Sequence, residues 1–119
     1  MTLPRFVLLE HDHPMLHWDL MLEEADGLRT WRLPSPTFGA ADMEAEPLAT
    51  HRKAYLDYEG PVSGGRGKIK RVDAGTYRHE GNWDGEAGTL ELIGESQTIR
   101  LQWIRIGERW FFALGLRRQ

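Results

Sequence analysis

At 119 residues and a formal net charge of −3, the chain has room for one packed core and no surplus of positive charge with which to coat nucleic acid. A hydrophobic share of 40% beside 28% charged residues excludes a disordered segment and fits a water-exposed globule. The absence of cysteine excludes disulfides and zinc–thiolate centres and accords with the cytoplasm, and no apolar run is long enough for a signal peptide or a membrane span.

Arg5–Glu10 reads as a first strand leading into His11, and His13-Pro14 marks a turn. From Leu16 the chain alternates strictly, with Leu16, Trp18, Leu20 and Leu22 on one side and His17, Asp19, Met21 and Glu23 on the other. Period two is the signature of a strand with one buried face, so a second strand is expected over Leu16–Glu24 with the four apolar residues in the core. Ala25-Asp26-Gly27 has the composition of a hairpin turn, and Leu28–Leu33 returns as a third strand. Pro34–Pro47 reads as a loop with a single helical turn near Ala40–Ala45, and Leu48–Tyr58 alternates weakly until Glu59-Gly60-Pro61 breaks it.

Ser63–Gly67 is rich in glycine, but Lys68 is followed by Ile69 and an extended segment, so a hairpin or bulge is expected and a phosphate loop is not. Lys68–Val72 and Gly75–His79 read as two strands about Asp73-Ala74-Gly75, then Glu80–Gly88 as a polar loop. Thr89–Ile93, Thr98–Ile106 and Arg109–Leu116 complete a meander, with a slip in alternation at Trp103-Ile104 that predicts a bulge. Many short strands without helical periodicity predict a single all-β domain over residues 1–119, a closed or nearly closed antiparallel barrel. Trp18, Trp31, Trp103 and Trp110 are assigned to its core, Trp83 is left as a candidate base-stacking surface, and His13 and His79 read as exposed. Arg66, Lys68 and Lys70 share one strand face that suits a nucleic-acid backbone or plain solvation.

The polar face of the second strand is unusual. His17 and Asp19 stand side by side where a solvated strand would carry Thr or Lys, and His11 lies a turn upstream, able to fold onto the same face. A His–Asp pair alone is commonly a surface hydrogen bond. Two imidazoles and a carboxylate converging on one point suit a borderline divalent metal such as zinc, manganese or iron.

FVLLEHDHPMLHWDLMLE resembles the opening of the 3′-phosphoesterase domain of bacterial DNA ligase D, typically FVIQKHDxxxLHYDLRLE. GLRTWRLP, the HRKAYLDYEG run from His51 to Gly60, the GGRG turn and RVDAGTY resemble later motifs of that family in the same order. The resemblance implies a β-barrel, here as a stand-alone cytoplasmic monomer, with metal ligands at His11, His17 and Asp19 and phosphate-handling groups at His51 and Tyr55. It implies a divalent cofactor, manganese ahead of zinc, and hydrolytic removal of a 3′-ribonucleoside or 3′-phosphate from DNA ends, beside ligase or end-joining proteins. Two departures stand out: the family's phosphate-binding arginine corresponds to Met21, and its following lysine to Ser35. Arg32 and Arg52 are the candidates to replace them. The loss at Met21 also motivates a second reading, a non-catalytic metal-containing barrel that binds ends or a repair partner. A third, a small iron oxygenase, shares the two-histidine-one-carboxylate set but lacks an anchor for an oxoacid.

Overall fold

Alternating strands joined by short turns pair with their neighbours, and the outcome depends on whether the last strand finds the first. In the computed structural model, which describes residues 2–115, it does. The strands are β1 (Arg5–His11), β2 (His17–Glu24), β3 (Gly27–Leu33), β4 (Met43–His51), β5 (Gly60–Pro61), β6 (Lys68–Gly81), β7 (Ala87–Gly94), β8 (Thr98–Ile106) and β9 (Arg109–Leu114). They run antiparallel in the order β1-β2-β3-β4-β9-β8-β7-β6, and β6 returns to β1, closing an eight-stranded barrel with the short β5 added to β6. The only helical segment among the described residues is a 3-10 turn over Lys53–Leu56, and no helix is long and apolar enough to cross a membrane.

Phe6, Leu20, Leu22, Trp31, Leu90, Trp103 and Phe112 fill the interior. Trp18 points the same way but is only half-buried. Leu16 does not belong to this row: it is 57% exposed, because the ladder with β1 starts at the pair His11 and His17 and Leu16 lies in the connection before it.

The outer face carries a second core. Val7, Leu9, Met21, Leu28, Ile69 and Ala74 form a cluster covered by Leu56 of the 3-10 turn, with Tyr55 and Val62 packed at its edge. Burying a leucine contributes about 1.5–3 kcal/mol, so Leu56 is the anchor that holds the 3-10 turn on the barrel. β2 is therefore buried on both sides, and His17, Asp19 and Met21 are 6%, 4% and 2% exposed.

Several expectations are corrected. The helical turn near Ala40–Ala45 is absent, because Met43, Glu44 and Ala45 pair with Phe112, Phe111 and Trp110 to close the barrel, and the helical turn occurs where Leu48–Tyr58 suggested strand. Lys68–Gly81 is one strand rather than two. Asp73 bends it without reversing it, its Oδ1 accepting from the N–H groups of Glu95 and Ser96, while a Cβ at Gly75 would lie 2.0 Å from the Ile93 carbonyl. The bulge falls here, opposite Leu8 and Leu9, and not at Trp103-Ile104, where both ladders run without a shift. Ile104 and Ile106 are outward-facing and exposed, which imitates a slip in the pattern. Leu116, expected at the end of the last strand, lies outside the described residues.

His79 is half-buried rather than exposed. Its ring stacks on Trp83 at 3.6 Å, and Trp103 Nε1–H donates to its Nε2 at 3.2 Å. Trp83 also packs on Trp31 and Trp103 with Arg29 over its ring, so it plugs the barrel end rather than offering a free stacking surface. Burial, reinforced by Arg29, holds the His79 imidazole below its ordinary value of 6.5.

Two predictions follow from the packing. Trp31→Ala should cost about 3–5 kcal/mol, and Trp18→Ala distinctly less, in urea titrations; equal losses would contradict the burial difference. Because the folded-state pKa of His79 is depressed, its contribution is fully present above the unfolded value and is lost as pH falls through the folded one. His79→Gln keeps an acceptor for Trp103 but does not titrate, so the drop in urea midpoint between pH 7.5 and 5.5 should be smaller in the variant than in the wild type.

Candidate functional site

Cross-strand register assembles the site. Outward-facing His11 pairs with His17, Leu9 with Asp19, and Asp19 in turn with Arg32 on β3, while Leu28 pairs with His51 on β4. His11 and His17 rings stand 4.9 Å apart, and one ligand atom from each of His11, His17 and Asp19 lies within 4.8 Å of the others.

Hydrogen bonds at the far sides of the rings decide what these atoms face each other with. A carbonyl only accepts, so His17 Nδ1–H donates to Met15 O at 2.8 Å, and a neutral ring then has a lone pair at Nε2. That Nε2 is 3.4 Å from Asp19 Oδ1, yet neither atom has hydrogen-bond geometry toward the other, and both are buried without a partner. Likewise His11 Nε2–H donates to Arg66 O at 2.9 Å, leaving the Nδ1 lone pair 3.9 Å from Asp19 Oδ2. With both rings neutral, three electron-rich groups surround one point. A buried carboxylate in this position is suited to a cation.

The donor set fits a divalent ion. Ligand bonds of about 2.0–2.2 Å put neighbouring ligand atoms roughly 3.3–3.6 Å apart in a tetrahedron, which covers the 3.4 Å between His17 and Asp19. Three protein ligands leave a position for water or substrate, as catalytic sites do, and carbonyl partners on both histidines fix the tautomers as metal-ligating histidines require. Asp12 and the glycine turn are tied together: Gly67, at φ +72°, brings Lys68 N–H to Asp12 Oδ1 at 2.8 Å, and a Cβ there would lie 2.2 Å from that oxygen. The same turn supplies the Arg66 carbonyl that orients His11. That Lys68 N–H holds the Asp12 carboxyl below the usual carboxylate range.

Asp19, His11, His51, Tyr55, Met21, Arg32 and Arg66 line one cavity of about 240 Å³. His51 Nδ1–H donates to Ala49 O at 2.8 Å, so Nε2 is its free atom, and Tyr55 meets the His51 ring edge-on at 5.8 Å. His13 is half-exposed at the rim rather than a lone surface residue. Of the two cations expected to stand in for Met21, Arg32 reaches this cavity and Arg52 lines the neighbouring one. Arg66 belongs to the glycine turn, with Lys68 and Lys70 exposed on β6 beyond it. A larger cleft of about 650 Å³ opens elsewhere, but two of its charged groups, Arg100 and Glu80, pair with each other, and no metal-ligating cluster lies there among the described residues.

Residues 9–113 match the DNA ligase D 3′-phosphoesterase domain. The chain belongs to that family. Membership supports a 3′-phosphoesterase-like function in DNA repair, and the match spans all five candidate residues, from His11 to Tyr55. None of the curated proteins compared with the chain matches it. The residues that sequence reasoning missed act through their backbone: the carbonyls of Met15, Ala49 and Arg66 carry no side-chain signal.

If His11, His17 and Asp19 are the ligands and His51 is not, elemental analysis after dialysis against trace Mn²⁺ should find metal in wild type and His51→Ala and little in Asp19→Ala. Equal metal in wild type and Asp19→Ala would remove the carboxylate from the ligand set.

Proposed function

We propose that this protein is a divalent-metal-dependent 3′-end phosphoesterase, removing a terminal 3′-phosphate or 3′-ribonucleoside from DNA, with manganese the preferred ion. The observation that carries this reading is the pair of buried, unpartnered atoms His17 Nε2 and Asp19 Oδ1, of which Asp19 lines a cavity shared with His51 and Tyr55. His11, His17 and Asp19 would hold the ion, which when bound supplies Lewis acidity at a phosphoryl oxygen and a more acidic water.

The remaining chemistry belongs to the chain. His51, its ring fixed by the Ala49 carbonyl, presents Nε2 to the substrate and in its protonated form donates to the leaving oxygen, the DNA 3′ oxygen when a phosphate is removed and the 5′ oxygen of the released nucleoside when a ribonucleoside is. Tyr55, carried by the 3-10 turn that Leu56 anchors, donates its hydroxyl to a phosphoryl oxygen. The second core beneath Met21 keeps water from the barrel side of the cavity, so these donors act in a partly dry environment.

The test is incubation of purified protein and Mn²⁺ with primer–templates ending in a 3′-phosphate or a 3′-ribonucleotide. Processing should need the metal and stop with a chelator, and His51→Ala should lower kcat about 10²–10⁴-fold while keeping its metal. Metal-loaded protein that binds these ends but processes none would replace the enzyme with an end-binding module, the reading that Met21 alone would favour.

A further inference from the structure

Arg32 carries an observation that the metal triad does not explain. It stands opposite Asp19 across β2 and β3 and lines the cavity with His51 and Tyr55. Its Nε is buried and, among the described residues, has no hydrogen-bond partner. The nearest carboxylate is Glu46, whose Oε1 is 4.0 Å from Nη1, beyond hydrogen-bond reach and well exposed. Buried donors in folded proteins find acceptors, so this one points to an acceptor that arrives with a ligand.

We propose that Arg32 is the binding residue for the terminal phosphate of a nucleic-acid 3′ end, a role the family pattern gives to the position of Met21. This rests on the 3′-phosphoesterase reading. Met21 lines the cavity but packs at 2% exposure in the second core with Val7, Leu9 and Leu28, and an arginine there would exchange that packing for a buried charge. Two pairs apart on the same ladder, Met21 faces Thr30 and Asp19 faces Arg32, so Arg32 offers its cation from the neighbouring strand on the same outward face. The other arginines do not fit the role. Arg66 lines the cavity, but its Nε and Nη2 are committed to Ser63 O at 2.7 Å and Ser63 Oγ at 3.2 Å. Arg52 lines the adjacent cavity of about 470 Å³. A guanidinium offers a planar fork matched to two phosphate oxygens, and its single positive charge beside a divalent ion suits a dianionic terminal phosphate.

The experiment compares equilibrium affinity of Mn²⁺-loaded protein for two DNA oligonucleotides of one sequence, ending in 3′-phosphate or 3′-hydroxyl, read by stopped-flow anisotropy before any turnover. Wild type should prefer the 3′-phosphate, and Arg32→Met should lose about 10- to 100-fold of that preference with its metal content, urea midpoint and 3′-hydroxyl affinity unchanged. Arg52→Gln should keep the preference. Should Arg32→Met fold poorly, Arg32→Lys carries the test: a point charge in place of the fork should lose several-fold of the preference. A wild-type preference retained in Arg32→Met, or in Arg32→Lys where that variant decides, overturns the assignment, as does a wild type that binds both ends equally. Release of phosphate is scored separately. A wild type that binds the 3′-phosphate selectively without releasing it would sink the catalytic reading and leave Arg32 as the phosphate-binding residue.

Discussion

The Asp19 carboxylate is the constraint around which the rest is arranged. It is 4% exposed, faces two imidazole lone pairs, and has Oδ1 without a partner. Burying an ion this way is unfavourable unless a counter-charge is present, so a bound cation would relieve an electrostatic cost within β2. That cost is offset by apolar burial immediately beside it. Met21 and Leu9 sit under Leu56, and the same packing that fixes the 3-10 turn places Tyr55 at the rim of the cavity. Stability and site geometry are therefore two uses of one outer-face cluster, and loosening the cluster disturbs the cavity wall.

Much of the barrel was legible because its signals are local. The β2 alternation, the Ala25-Asp26 turn and the limits of Thr98–Ile106 are period-two patterns and turn chemistry that survive folding unchanged. The failures came where a distant partner decides. Leu16 continues the apolar period but lies before the first ladder pair, and Met43–Ala45 becomes strand because β9 needs an edge to close against. Asp73-Ala74-Gly75 has turn composition, yet its carboxylate serves the loop after β7 while the strand passes through.

The site divides along the same line. His17 and Asp19 were visible as neighbours on one face, and His11 as a residue one turn away. Nothing local joined them to His51 and Tyr55, which only the resemblance brought in. The physical link is the β3–β4 ladder, where His51 pairs with Leu28 and so shares the outward face of Asp19. The orienting groups were out of reach for another reason: a carbonyl is the same atom in every residue, so Met15, Ala49 and Arg66 could not be told apart from any other sequence position by type.

The outer face also explains why a substitution at Met21 need not empty the site of positive charge. A strand residue directs its side chain by parity alone, so any outward position on a neighbouring strand within a side chain's length can serve the same cavity. Position 21 lies over the second core and gains from an apolar side chain. Position 32 lies toward the edge of the barrel face, half-exposed, where a long stem can pass over the sheet and keep its head partly hydrated. A methionine at the first and an arginine at the second satisfies both demands, packing where the wall is dry and charge where it is wet. The reverse arrangement would bury the cation and expose the thioether.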